Sequence, residues 1–131
     1  MLNYVTQPPV TVFDNITLTS AYSGNVGTVL DVKGMSKVSI DVDYAQGASE
    51  SGNICHFKLE HSTDGTNWYQ LVIDDTNTVS DITAREWNIT GDATLNLIVD
   101  IAYDKLRISA RESGVASNAG TLTMVAMTSG L

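Results

Sequence analysis

This 131-residue chain has one cysteine, two prolines and seven cations. Cys55 is alone, so no intramolecular disulfide forms, and one thiol cannot build a tetrahedral thiolate site. The seven basic residues face 15 acidic ones, for a net charge of −8. That balance excludes general affinity for nucleic acid, which requires Lys and Arg against phosphate. The cations all lie between Lys33 and Arg111, so no basic arm grips DNA or anionic lipid. No apolar run approaches the length of a membrane span, and no membrane partner is expected. Met1-Leu2-Asn3-Tyr4-Val5 lacks the cationic and apolar regions of a secretory signal, so the expectation is a chain made and assembled in the cytosol. Gly-rich phosphate loops and the Gly-x-Ser-x-Gly elbow are absent.

Alternation of apolar and polar residues takes the place of those motifs. Val38, Ile40, Val42 and Tyr44 recur at period two, as do Cys55, Phe57, Leu59 and His61. Successive strand side chains point to opposite faces, so this period means half-buried antiparallel strands. Turn chemistry separates expected strands at 16–21, 28–32, 37–44, 54–62, 67–73, 79–82, 85–90, 95–101, 105–111 and 121–127. Asp64-Gly65 is the dipeptide favoured in tight hairpins. The fold class is all-β: an antiparallel two-sheet β-sandwich, jelly-roll-like, with an immunoglobulin-like strand order left open. Ile40, Val42, Phe57, Leu59, Leu106 and Ile108 hold the inward parity of their strands and are the expected core.

Residues 1–13 differ from the rest. Gln7-Pro8-Pro9 sits among apolar Tyr4, Val5, Val10, Val12 and Phe13, and a proline pair favours extended, unpaired chain. The expected division is an extended N-terminal arm at 1–13 and a sandwich at 14–131. Tyr4, Val5, Pro8, Pro9, Val10, Val12 and Phe13 are its candidate partner-binding residues, because apolar side chains are poorly suited to a free tail.

Residues able to carry chemistry are few. His56 and His61 stand an odd number apart on one strand, so they face opposite ways and cannot share an ion. Asp41 and Asp43 share an outward face, about 7 Å apart by strand rise, without the further oxygen ligands that calcium needs. Arg107 and Arg111 share an outward parity, which suits cross-strand pairing or solvation. Cys55 has the inward parity of Phe57, and a buried thiol in apolar surroundings is inert. No catalytic residue, metal or cofactor is expected. Trp68, Tyr69 and Trp87 could stack on sugar rings, or fill the core and sheet edges.

Three segments carry a resemblance: Ser62-Thr63-Asp64-Gly65-Thr66-Asn67-Trp68-Tyr69-Gln70-Leu71, then Tyr103-Asp104-Lys105-Leu106-Arg107-Ile108, then Gly120-Thr121-Leu122-Thr123. In this order, over roughly residues 28–128, they resemble the small β-sandwich proteins of tailed-bacteriophage virions, especially head decoration (cement) proteins. The resemblance implies a non-enzymatic structural protein on the capsid surface, assembled in the host bacterial cytoplasm. Its implied partners are the major capsid protein and its own copies, as a homotrimer over capsomer junctions. The Asp-Gly-x-x-Trp hairpin also occurs in carbohydrate-binding and tail-fibre domains. A sugar-binding tail or baseplate module, or another tail or neck protein, is the alternative.

Overall fold

The computed structural model describes residues 5–74, 82–84, 86–101 and 104–130. In chain order the strands are β1 (Val5–Thr6), β2 (Val10–Thr17), β3 (Leu30–Asp31), β4 (Lys37–Ala45), β5 (Ile54–Ser62), β6 (Tyr69–Gln70), β7 (Val72–Asp74), β8 (Ile82–Ala84), β9 (Trp87–Thr90), β10 (Ala93–Asp100), β11 (Lys105–Ser113) and β12 (Thr121–Gly130). A single 3-10 turn, Tyr22–Gly24, interrupts the crossover from β2 to β3.

Two antiparallel sheets pack face to face. In sheet A, β12 has β4 and then β10 on one side, and β2 and β1 in succession along the other. In sheet B, β11 lies between β3 and β5, and β6 and β9 share the far edge of β5. β7 and β8 pair only with each other among the described residues.

The pairings nest. β2 pairs with β12, β3 with β11, β4 with β10 and β5 with β9, all antiparallel. This is one long hairpin whose bend lies between β5 and β9. The further pairings of β4 with β12 and β5 with β11 show that hairpin wrapped on itself. Such a double-sheet wrap is a jelly roll, which resolves the strand order left open between jelly roll and immunoglobulin-like.

The core follows the sequence period. Ile40, Val42, Phe57, Leu59, Leu106 and Ile108 are all buried between the sheets. A one-residue slip would turn each of them outward, so burial pins the register of β4, β5 and β11.

Several boundaries differ from expectation. β2 begins at Val10, not residue 16, so the sandwich takes in residues 10–13 that were assigned to the arm. The alternation is broken there by bulges: Val12 and Phe13 are neighbours, yet both are buried. Asn15 adopts a left-handed φ of 47°, and the register against β12 shifts twice. An extra residue at a bulge spoils period two, which hid the strand. The stretch 67–73 divides into β6 and β7. Residues 79–81 and Arg85 lie outside the described residues. Asp64-Gly65 does not make a two-residue hairpin, because β5 and β6 rejoin only at His61 and Tyr69. The Asp64 carboxylate accepts the amides of Thr66 and Asn67, each at 2.8 Å, and organises the wider loop.

Candidate functional site

Three places hold the residues singled out above. The first is the N-terminal segment. Tyr4 lies outside the described residues. Val5 and Thr6 pair with Gly130 and Ser129 at the end of β12, and the Gln7 amide donates to the Thr128 carbonyl at 2.9 Å. Pro8 and Pro9 have no amide proton to continue the ladder, and both are exposed. Val5 remains 43% exposed. Gln7, Pro8, Pro9 and Val10 line a groove of about 310 Å³ together with Val29 and Leu30. The segment thus follows the sheet rim. Val12 and Phe13 are corrected: both are core residues, and their apolar surface is already covered by the sandwich.

The second place is the aromatic set, which the fold separates. Trp87 faces Phe57 across β9 and β5, with the rings stacked at 5.3 Å. Phe57 is buried, so Trp87 belongs to the edge of the core. The Arg107 guanidinium lies 4.3 Å from the centre of the Trp68 ring and bonds Glu60. Tyr69 is 62% exposed and tilts against His61 at 6.0 Å. The rings meet three different surroundings and form no common platform. Tyr69 is the one of them open to solvent.

The third place is the outer face of sheet B, where Tyr22 from the crossover reaches over β5 and β11. Its hydroxyl donates to Glu86. The Lys58 ammonium lies 4.6 Å and the Arg111 guanidinium 5.3 Å from its ring centre. Arg111 and His56 also approach Glu86, at 3.6 and 3.3 Å. The Tyr22 hydrogen bond and the nearby cations hold the Glu86 carboxyl below its ordinary range, against partial desolvation. Burial, with Glu86 adding to it, pushes the Tyr22 phenol up. His56 bonds Ser113 at 2.7 Å through its other ring nitrogen. His61 is on the opposite face of β5, as the odd spacing requires. Among the described residues no three His, Cys, Asp or Glu side chains gather to hold a metal. Asp41 accepts from Asn96 at 2.8 Å, and Asp43 from Thr94 at 3.4 Å, on the outer face of sheet A.

One residue escaped the sequence reading. Glu112 is only 1% exposed, on the inward face of β11. Its carboxylate accepts from the Tyr44 hydroxyl at 2.5 Å, the Gly120 amide at 2.8 Å and the Asn53 side chain at 3.3 Å. It therefore joins β11 to β4 and to the entry of β12. Gly120 has to be glycine here, because a Cβ would stand 2.4 Å from the carboxylate and 2.5 Å from the Ala45 carbonyl. Burial, with Glu112 nearby, pushes the Cys55 thiol up to about 12. The signal was available: Glu112 continues the inward parity of Leu106, Ile108 and Ala110.

No family model matches the sequence, and no curated protein matches it. Distant similarity in fold connects it to viral capsid proteins and to other β-sandwich domains. A chain of the infectious bursal disease virus Gx strain gives a TM-score of 0.48 at 13% identity, over 97% of this chain and 32% of that one. The chain therefore spans about a third of that protein's length. The acid-stable capsid of Helicobacter pylori bacteriophage KHP30 gives 0.42 at 11% identity, over 96% and 91%. A CBM4 structure gives 0.42 at 12% identity, over 95% and 70%. The likeness is one of fold.

Proposed function

We propose that this chain is a non-enzymatic structural protein of a tailed-phage virion. It decorates the capsid surface, binds the major capsid protein at capsomer junctions, and acts as a homotrimer assembled in the host bacterial cytoplasm. The observation that carries this reading is the N-terminal segment, which keeps Val5, Pro8 and Pro9 exposed along the sheet rim beside an apolar groove. The sequence resemblance to cement proteins supports it independently. A rigid jelly roll acts as the plug, and the segment supplies contacts. Repeated on a lattice, weak contacts gain avidity without new chemistry. Proline stiffening lowers the entropy lost when the segment docks.

Deletion of residues 1–9 tests the reading. The truncated protein keeps its fold, with a melting temperature lowered only by the loss of the Val5–Gln7 pairing to β12, and loses attachment to shells or its own assembly. Normal decoration by the truncated protein would contradict the role given to the segment. A second reading, a sugar-binding tail or baseplate module, is favoured by the exposure of Tyr69. Saturable binding of an oligosaccharide that disappears in Tyr69→Ala would favour it.

A further inference from the structure

Three strands bring a hydroxyl, an imidazole and a carboxylate into line on the outer face of sheet B. Successive residues of β11 alternate faces, so Ser113 points outward with Ser109 and Arg111 while Glu112 turns into the core. Arg111 pairs with His56 on β5, and His56 pairs with Asn88 on β9. The imidazole therefore lies between two strands, and each brings it a polar side chain. Glu86, just before β9, adds a third.

The His56 ring is 9% exposed. Its Nε2 is 2.7 Å from the Ser113 Oγ. Its Nδ1 faces two acceptors, the Asn88 side-chain oxygen and, at 3.3 Å, the Glu86 Oε1. Acceptors on that side place the proton of the neutral ring on Nδ1. Nε2 is then bare and accepts the Ser113 hydroxyl. Glu86 is itself held in place, because its Oε2 accepts from the Tyr22 hydroxyl and faces Arg111 at 3.6 Å. A hydroxyl, a base and a group that orients the base make up an activated nucleophile. Ser113 is only partly buried. With Leu18, Val115 and Ala119 it lines a cavity of about 380 Å³, which offers apolar walls to a short acyl chain.

We propose that Ser113 is a nucleophile that His56 activates to take one acyl group from an activated ester or thioester. The Oγ–carbon bond forms, and the bond from the acyl carbon to the leaving oxygen or sulfur breaks. The Ser113 proton passes to His56 Nε2 and from there to the leaving group, so the ring ends neutral. The products are a chain esterified at Ser113 and a free alcohol or thiol. One acylation per chain modifies the protein without turnover. The proposal therefore goes beyond the decoration reading and does not depend on it.

The test uses the full chain and an alkyl fluorophosphonate, which traps an activated hydroxyl as a stable adduct. The Oγ–phosphorus bond forms, the phosphorus–fluorine bond breaks, and fluoride leaves. Labelled protein is digested and every serine is mapped by mass spectrometry over time. Ser113 is expected to react about 100-fold faster than the other serines, the lower end of what a positioned general base contributes. In urea that advantage disappears, because the ring is no longer held against the hydroxyl. His56→Gln removes it as well, and the urea midpoint of that variant separately reports any stability the bond provides. Reaction of Ser113 no faster than that of the other serines in the native protein overturns the proposal. So does an advantage that survives in urea or in folded His56→Gln. If His56→Gln does not fold, the native and urea measurements decide.

Discussion

Glu112 offers the most informative perturbation of the fold, because two substitutions there separate hydrogen bonding from charge. In Glu112→Ala the Tyr44 hydroxyl and the Gly120 amide lose their acceptor inside the sandwich. Asn53 keeps the Asn118 carbonyl at 3.3 Å. Each buried donor left unsatisfied costs about 1–3 kcal/mol. Two orphans together with the emptied methylene space, less the relief of no longer burying a carboxylate, give a loss of about 3–5 kcal/mol. Glu112→Gln is milder. Its carbonyl still accepts from the Gly120 amide. Its amino group donates to the Tyr44 oxygen once that hydroxyl rotates. The Asn53 contact and the acceptor for the Tyr44 hydroxyl proton are lost, at about 1–3 kcal/mol. Urea unfolding followed by circular dichroism measures both, with the slope of the transition held in common. The expected order of midpoints is native, then Gln, then Ala, with the two variants separated by about 2 kcal/mol. An Ala variant within about 1 kcal/mol of the native protein would refute the clasp. So would a Gln variant as unstable as Ala, which would mean that charge rather than hydrogen bonding matters there.

Other expectations follow from the same structure. Leu59→Ala removes a fully buried side chain and lowers stability by about 2–5 kcal/mol in the same urea assay; a smaller loss would mean that the core collapses around the site. Cys55, with its thiol pushed up to about 12 by burial, reacts with a thiol reagent at pH 8 only as fast as the protein opens, whereas rapid labelling of the native protein would place it at the surface. Glu86 has a depressed carboxyl, held first by the Tyr22 hydrogen bond. Its contribution is present above the ordinary glutamate range and is lost as pH falls through the folded value. Tyr22→Phe therefore flattens the fall of melting temperature below about pH 4.5, and an unchanged acid profile would count against the Tyr22–Glu86 bond.

How much of this was legible depended on local regularity. β4, β5 and β11 alternate cleanly, and their inward residues were read correctly because period two survives wherever the ladder is unbroken. β2 was misread where bulges put Val12 and Phe13 on the same side. The nesting of the strands was not legible, since alternation fixes a strand's face but not its neighbour. Residue type alone left Trp68, Tyr69 and Trp87 between sugar stacking and packing in the core and sheet edges, and the fold sends them to three places. Glu112 could have been noticed as a carboxylate at an inward position. Its partners Tyr44, Asn53 and Gly120 meet only through the pairing of β4, β11 and β12, which no local pattern encodes.

The central claim is attachment to a capsid shell. Electron cryomicroscopy of particles purified from cells that make this protein tests it most directly. The account predicts density for the jelly roll on the outside of the head, in groups of three over capsomer junctions, with residues 5–9 against the shell. Density for it in the tail or baseplate, or particles that lack it altogether, would contradict the account.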